Sequence, residues 1–152
     1  MLFLILLIGP TIAQSWEAGA SEHSEAAKCF VYNLASYQGD SPYSRQRPMM
    51  NLAITSLQPL KSEFSVSLGY DNALKTVGAI KIGDALFKLR FNGGKGLLAA
   101  SDDEADLLNA LRTSEKAVIG FKVADTYVFD SYDLMDLDKK LLELQSTCRM
   151  QG

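Results

Sequence analysis

KAVIGFKVADTYVFDSYDLMDLDKKLLELQSTC, residues 116 to 148, decides the fold. Lys116 to Val123 and Thr126 to Tyr132 alternate apolar and polar residues on either side of a tight turn, the period of half-buried antiparallel strands. Beyond them Leu134, Leu137, Leu141, Leu144 and Cys148 recur at three-four spacing, which lays one apolar stripe along a helix opened by Asp133. A helix with that face lies against something, and most of the chain upstream reads as sheet. The expectation is a mainly β domain: an antiparallel β-sandwich or curved sheet with the helix over Leu134–Cys148 packed on it and a second helix, Ser101–Arg112, beside it.

The upstream strands follow from the same alternation. Cys29, Val31 and Asn33 share one face of a short β-prone run whose other face carries Phe30, Tyr32 and Leu34. Met49 to Leu57 continues as a strand until Gln58-Pro59, and Phe64, Val66, Leu68 and Tyr70 alternate with small residues. Val77–Ile82 and Ala85–Phe91 flank Gly83-Asp84, a pair suited to a two-residue primed turn. Asn92-Gly93-Gly94-Lys95-Gly96 lacks the Gly-Lys-Ser/Thr order of a phosphate loop and reads as another hairpin turn. Ser101 with Glu104 three residues on forms a capping box, which accounts for the acids at Asp102, Asp103, Glu104 and Asp106 without a calcium ion.

Composition bounds the function. The 152 residues are 47% hydrophobic, which suits one domain. A net charge of −3 argues against a protein whose main task is gripping a phosphate backbone, which needs a basic face. Leu2 to Ile8 is an apolar run broken by Gly9-Pro10, much shorter than the roughly 20 residues that span a bilayer, so residues 1–13 read as a signal peptide and the mature chain has no transmembrane span. No Lys or Arg precedes Lys28, a second cut is offered after Ala18-Gly19-Ala20, and the competing reading of the run is a buried N-terminal strand. Residues 14–27 read as a loose lead-in, and 28–152 as the domain. In an exported chain the pair Cys29 and Cys148 reads first as a disulfide, with two buried free thiols as the alternative.

No catalytic set emerges. There is no Gly-x-Ser-x-Gly elbow, His23 is the single histidine and sits in the lead-in, and no His, Cys and carboxylate cluster announces a metal or other cofactor. Asp130 and Asp133 are the nearest thing to an acid pair, but Asp133 serves as the helix cap. The residues that suit binding lie in the long connection Ser36 to Pro48, SYQGDSPYSRQRP. Tyr37 and Tyr43 are rigid amphipathic anchors of the kind binding loops use, and Arg45 and Arg47 carry forked donors for a partner's carboxylate, sulfate or phosphate. The bland reading is a solvated loop with its tyrosines folded over the sheet edge.

The order of short motifs resembles that of the invasion associated locus B family, exported proteins of Gram-negative bacteria. Cys29-Phe30 comes early, Arg47-Pro48 precedes a strand, and Gly69-Tyr70 closes another. Ile82-Gly83 leads to Phe87-Lys88-Leu89, Ala110-Leu111 closes the acidic helix, and Asp130-Ser131-Tyr132-Asp133-Leu134 leads into the helix that ends on Cys148. The chain departs from the family where Asp133 follows the tyrosine, where Asp136-Leu137 replaces a Gly-Phe, and where Ala124-Asp125-Thr126 replaces an Arg-Gly-Thr turn. The resemblance implies a divergent member, periplasmic or secreted, linked by the family's name to entry into host cells. The function expected is non-enzymatic binding of a protein or of an envelope or host-surface component. A structural envelope protein without a soluble ligand and a carboxylate-based hydrolase are the competing classes.

Overall fold

A computed structural model describes residues 16–21, 28–71 and 75–148. The signal-peptide reading of residues 1–13 and His23 lie outside the described residues. Among the described residues nine strands form one curled antiparallel sheet: β1 (Glu17–Ser21), β2 (Lys28–Leu34), β3 (Met49–Leu57), β4 (Leu60–Ser67), β5 (Thr76–Ile82), β6 (Ala85–Asn92), β7 (Lys95–Leu98), β8 (Lys116–Val123) and β9 (Thr126–Asp133). Two α-helices among the described residues, α1 (Glu104–Thr113) and α2 (Leu137–Thr147), accompany the sheet. The strand order is β1-β2-β3-β4-β7-β6-β5-β8-β9. Of the two architectures expected, the curved sheet is the one found.

The curl follows from one apolar face. Met50, Leu52 and Ile54, Phe64 and Val66, Ile80 and Ile82, and Ile119, Phe121 and Val123 all sit on it and are buried. Burying that face on helices leaves the other to solvent, and a right-handed twist accumulated over nine strands bends the sheet around its contents. Its two ends meet. Ser36, just past β2, donates its N–H to Ser131 O at 2.8 Å, and Tyr37 bridges Ser131 as an antiparallel pair. The Asn33 side-chain amide donates to Asp133 O. The result is a half-barrel drawn together along β9.

α1 packs on β4, α2 packs on β1 and β2, and the two helices touch. Leu107, Leu108 and Leu111 are the buried side of α1, and Leu137, Leu141, Leu144 and the flanking Cys148 that of α2, the stripe read from the sequence. Each leucine so buried contributes about 2 kcal/mol as an upper bound. Cys29, on β2, and Cys148, at the end of α2, stand at disulfide distance with Cα atoms 6.0 Å apart, so the helix is tied to the strand it covers.

Three local expectations give way. The lead-in is not loose throughout: Glu17–Ser21 pair with Tyr32–Lys28, and Trp16 is fully buried. EAGAS has no apolar alternation to announce a strand; partnership with β2 makes it one. Since Ala20 pairs with Cys29, a cut after Ala20 would divide β1. Second, Asp133 does not cap α2. Its Oδ1 accepts from Met135 N at 3.0 Å, a turn bond, and the helix starts later, after Asp136 in the left-handed region at φ 69°.

Third, the capping box is absent. Ser101–Asp103 wind as a 3-10 turn, which shifts the start of α1 past the serine. Glu104 instead accepts the Phe64 N–H, at 3.0 and 3.2 Å to its two oxygens, and fastens α1 to β4. Burial raises the Glu104 carboxyl above its ordinary value, against the lowering effect of the Phe64 N–H and with a further rise from the nearby Glu63 charge. A folded pKa above the unfolded one makes a stability contribution that is whole below the ordinary value of 4.5 and lost as pH rises through the raised one. Glu104→Gln keeps an acceptor and has no charge to bury. Its urea midpoint should fall less than the parent's from about pH 4 to about pH 7, and equal slopes would refute the role given to Glu104.

Candidate functional site

The connection between β2 and β3 is the site to which the sequence pointed, and its backbone is pinned at every quarter. Ala35 N donates to Pro48 O at 2.9 Å, closing the neck, and Arg47 donates from Nε and Nη2 to Ala35 O at 2.9 and 2.7 Å. Gln46 N donates to Gly69 O at 2.8 Å. At Gly69, with φ +84°, a Cβ would come within 2.0 Å of Gln46 O. A Cβ on Gly39 would come within 2.5 Å of Phe129 O. Those two glycines let the loop lie directly on the end of the β4 segment and on β9. Compact loops with closed ends of this kind are frequently functional.

Beneath the loop is a buried ion pair. Arg45 grips Asp130 of β9 with both arms of its fork, Nη2 to Oδ1 at 2.6 Å and Nη1 to Oδ2 at 2.8 Å, and the two side chains are 1% and 0% exposed. Arg45 also donates to Gly39 O at 2.9 Å and Leu68 O at 3.3 Å, while Gly39 N donates to Asp130 Oδ1 at 3.0 Å. Its guanidinium lies 5.4 Å from the Tyr70 ring centre and 5.6 Å from that of Phe121, two rings that meet edge to face. The Tyr70 hydroxyl reaches Ser41 Oγ at 2.6 Å. Burial alone would lower the Arg45 pKa, but the hydrogen bond and charge of Asp130 overcome it and hold the guanidinium above its ordinary value. Tyr132, in phase with Asp130 on β9 and fully buried, has its hydroxyl pKa raised first by burial and then by the Asp130 charge.

The four loop residues singled out from the sequence therefore divide. Tyr37 and Tyr43 project, 61% and 52% exposed. Arg45 is spent inside, its fork holding a carboxylate of its own chain, whereas Arg47 braces the neck through Nε and Nη2 and stays exposed. Gln38, Asp40, Ser41 and Ser44 join Gly39, Tyr43 and Arg45 around an open depression of about 330 Å³ within the loop, which Tyr37 does not line. Asp130, which the sequence offered only as half of an acid pair with Asp133, is instead the buried partner of Arg45. A signal existed: in TYVFDSYD it falls in phase with Val128 and Tyr132, a carboxylate on the apolar side of a strand that calls for a cation.

Among the described residues no three of His, Cys, Asp and Glu stand together as metal ligands, and no helix is long and apolar enough to cross a membrane. No family model, curated protein or solved structure matches the chain.

Proposed function

We propose that this chain is an exported, non-enzymatic binding domain of the invasion associated locus B kind, and that it engages a protein on an envelope or host surface through the loop between β2 and β3. One observation carries this reading: Tyr37 and Tyr43 stand exposed on a loop whose backbone is clamped from below by the buried Arg45–Asp130 pair. A preorganised loop loses little conformational entropy on binding, and rigid tyrosines supply contact area at low entropic cost. The motif order from Cys29-Phe30 to Cys148 supports the family, and the cysteine pair at bonding distance supports an oxidising compartment.

The test is a pull-down from envelope and host-cell surface extracts with the parent and with a Tyr37→Ala/Tyr43→Ala variant. Truncating a pair of aromatic anchors should weaken a captured partner about thirtyfold or more. A folded variant that retains full affinity would remove the loop from the account. Turnover of a glycoside or ester substrate by the parent, lost on mutation of an acidic residue, would move the chain to the enzyme class.

A further inference from the structure

The outer face of β5 to β9 is a surface the loop reading does not use. Its burial alternation turns Lys81, Lys88, Arg90, Lys95, Lys116 and Lys122 outward, all exposed, in a chain whose net charge is −3. On these strands the outward carboxylate is Asp133, at the far end of β9 and bonded to Met135 N. Asp84 and Asp125 lie in the end turns, and Glu63 lies one strand beyond β7. Charge of one sign has been gathered on one side.

Large apolar side chains are interleaved with it. Val77 is 73% exposed, Leu86 and Tyr127 68%, Phe129 56% and Leu97 51%. Cross-strand register makes them direct neighbours of the cations: Val77 and Leu97 both pair with Arg90, Leu86 with Lys81, and Tyr127 with Lys122, whose Nζ lies 5.7 Å from the tyrosine ring centre. A small anion or a sulfated sugar would engage the cations and leave this apolar surface in water. A single nucleic-acid strand needs rings in line along a groove, whereas here the rings lie only on β9, aliphatic residues fill the rest, and the face is convex. A bilayer surface satisfies both sets at once, phosphates meeting the ammonium and guanidinium heads while Val77, Leu86 and Leu97 press among the headgroups and the lysine stems lie along them.

We infer that the outer face of β5 to β9 docks on an anionic lipid surface. This goes beyond the loop reading and rests on different residues, so either can fail alone. The experiment is sedimentation of the full chain with vesicles of phosphatidylcholine, with and without phosphatidylglycerol. The parent should bind the anionic vesicles only, and less as salt is raised. Lys88→Glu/Arg90→Glu/Lys122→Glu should weaken binding by on the order of a hundredfold, at about fivefold or more per charge. Val77→Ser/Leu86→Ser leaves charge unchanged and should still lose severalfold, while a circular dichroism spectrum matching the parent's certifies each variant's fold. Parent that stays in the supernatant with anionic vesicles overturns the inference. So does a serine variant that binds like the parent, which would make the face merely cationic, and so does tighter binding to a single-stranded oligonucleotide than to the vesicles.

Discussion

Arg45→Ala should cost the domain about 3–5 kcal/mol, enough to leave a marginal protein largely unfolded. The reason is the residue left behind. Asp130 is 0% exposed, and with the guanidinium gone its charge keeps only the Gly39 N–H at 3.0 Å. Gly39 O and Leu68 O lose a donor in the same step, and the Tyr70 and Phe121 rings lose the cation beside them. Arg45→Lys should recover little, since one ammonium cannot span both carboxylate oxygens and the Gly39 carbonyl. The informative variant is Arg45→Met with Asp130→Leu, which removes both charges and keeps volume. Paired buried charges are often replaceable in this way at little cost, so the double variant should be far more stable than either single one. Urea midpoints of all four proteins complete the cycle. If Arg45→Ala alone is nearly neutral, the pair is not the clamp described.

Cys148→Ser should lower stability by about 2–5 kcal/mol, the range for loss of a native disulfide from a small exported domain. The bond would close a loop between residues 119 apart, and long loops give the largest entropic effect on the unfolded chain. In the folded state Leu137, Leu141 and Leu144 still hold α2 to β1 and β2. The loss should therefore appear in the denaturation midpoint while the circular dichroism spectrum of the native protein hardly changes. Treating the parent with a reductant should reproduce the variant's midpoint. Quantitative alkylation of both thiols in native, unreduced protein, or identical midpoints for variant and parent, would show that the bond does not form.

Much of this fold was legible because its strands and helices keep strict periods. Alternation marks β5, β6, β8 and β9, the Asn-Gly-Gly turn separates β6 from β7 with Gly93 and Gly94 at φ +64° and +77°, and the leucine stripe marks α2. What was not legible depends on residues far apart. Nothing in LKSEFSVS states that β4 will pair with β7 instead of β5, and nothing in EAGAS states that it will pair at all. The choice between a sandwich and one curled sheet rests on such long-range pairings too. The site follows the same rule. Long, polar and rich in tyrosine, the loop is visible as a candidate, and its tyrosines are indeed exposed; but the duty of Arg45 depends on a partner 85 residues away, so its chemistry is read correctly and its direction is not.

The meeting of β2 with β9 sets the order in which the chain can become protein. The backbone groups that receive Asn33, Ser36 and Tyr37, on Ser131 and Asp133, are made 94 to 100 residues after them. Until then β2 is paired with β1 and β3 but the sheet has no closure, and the loop's arginine has no carboxylate. Contacts of such separation slow folding and prolong the exposure of sticky strand edges. A nascent chain with this topology can pair β1 to β4 as they appear, but it can neither close its sheet nor neutralise Arg45 until β9 has been made.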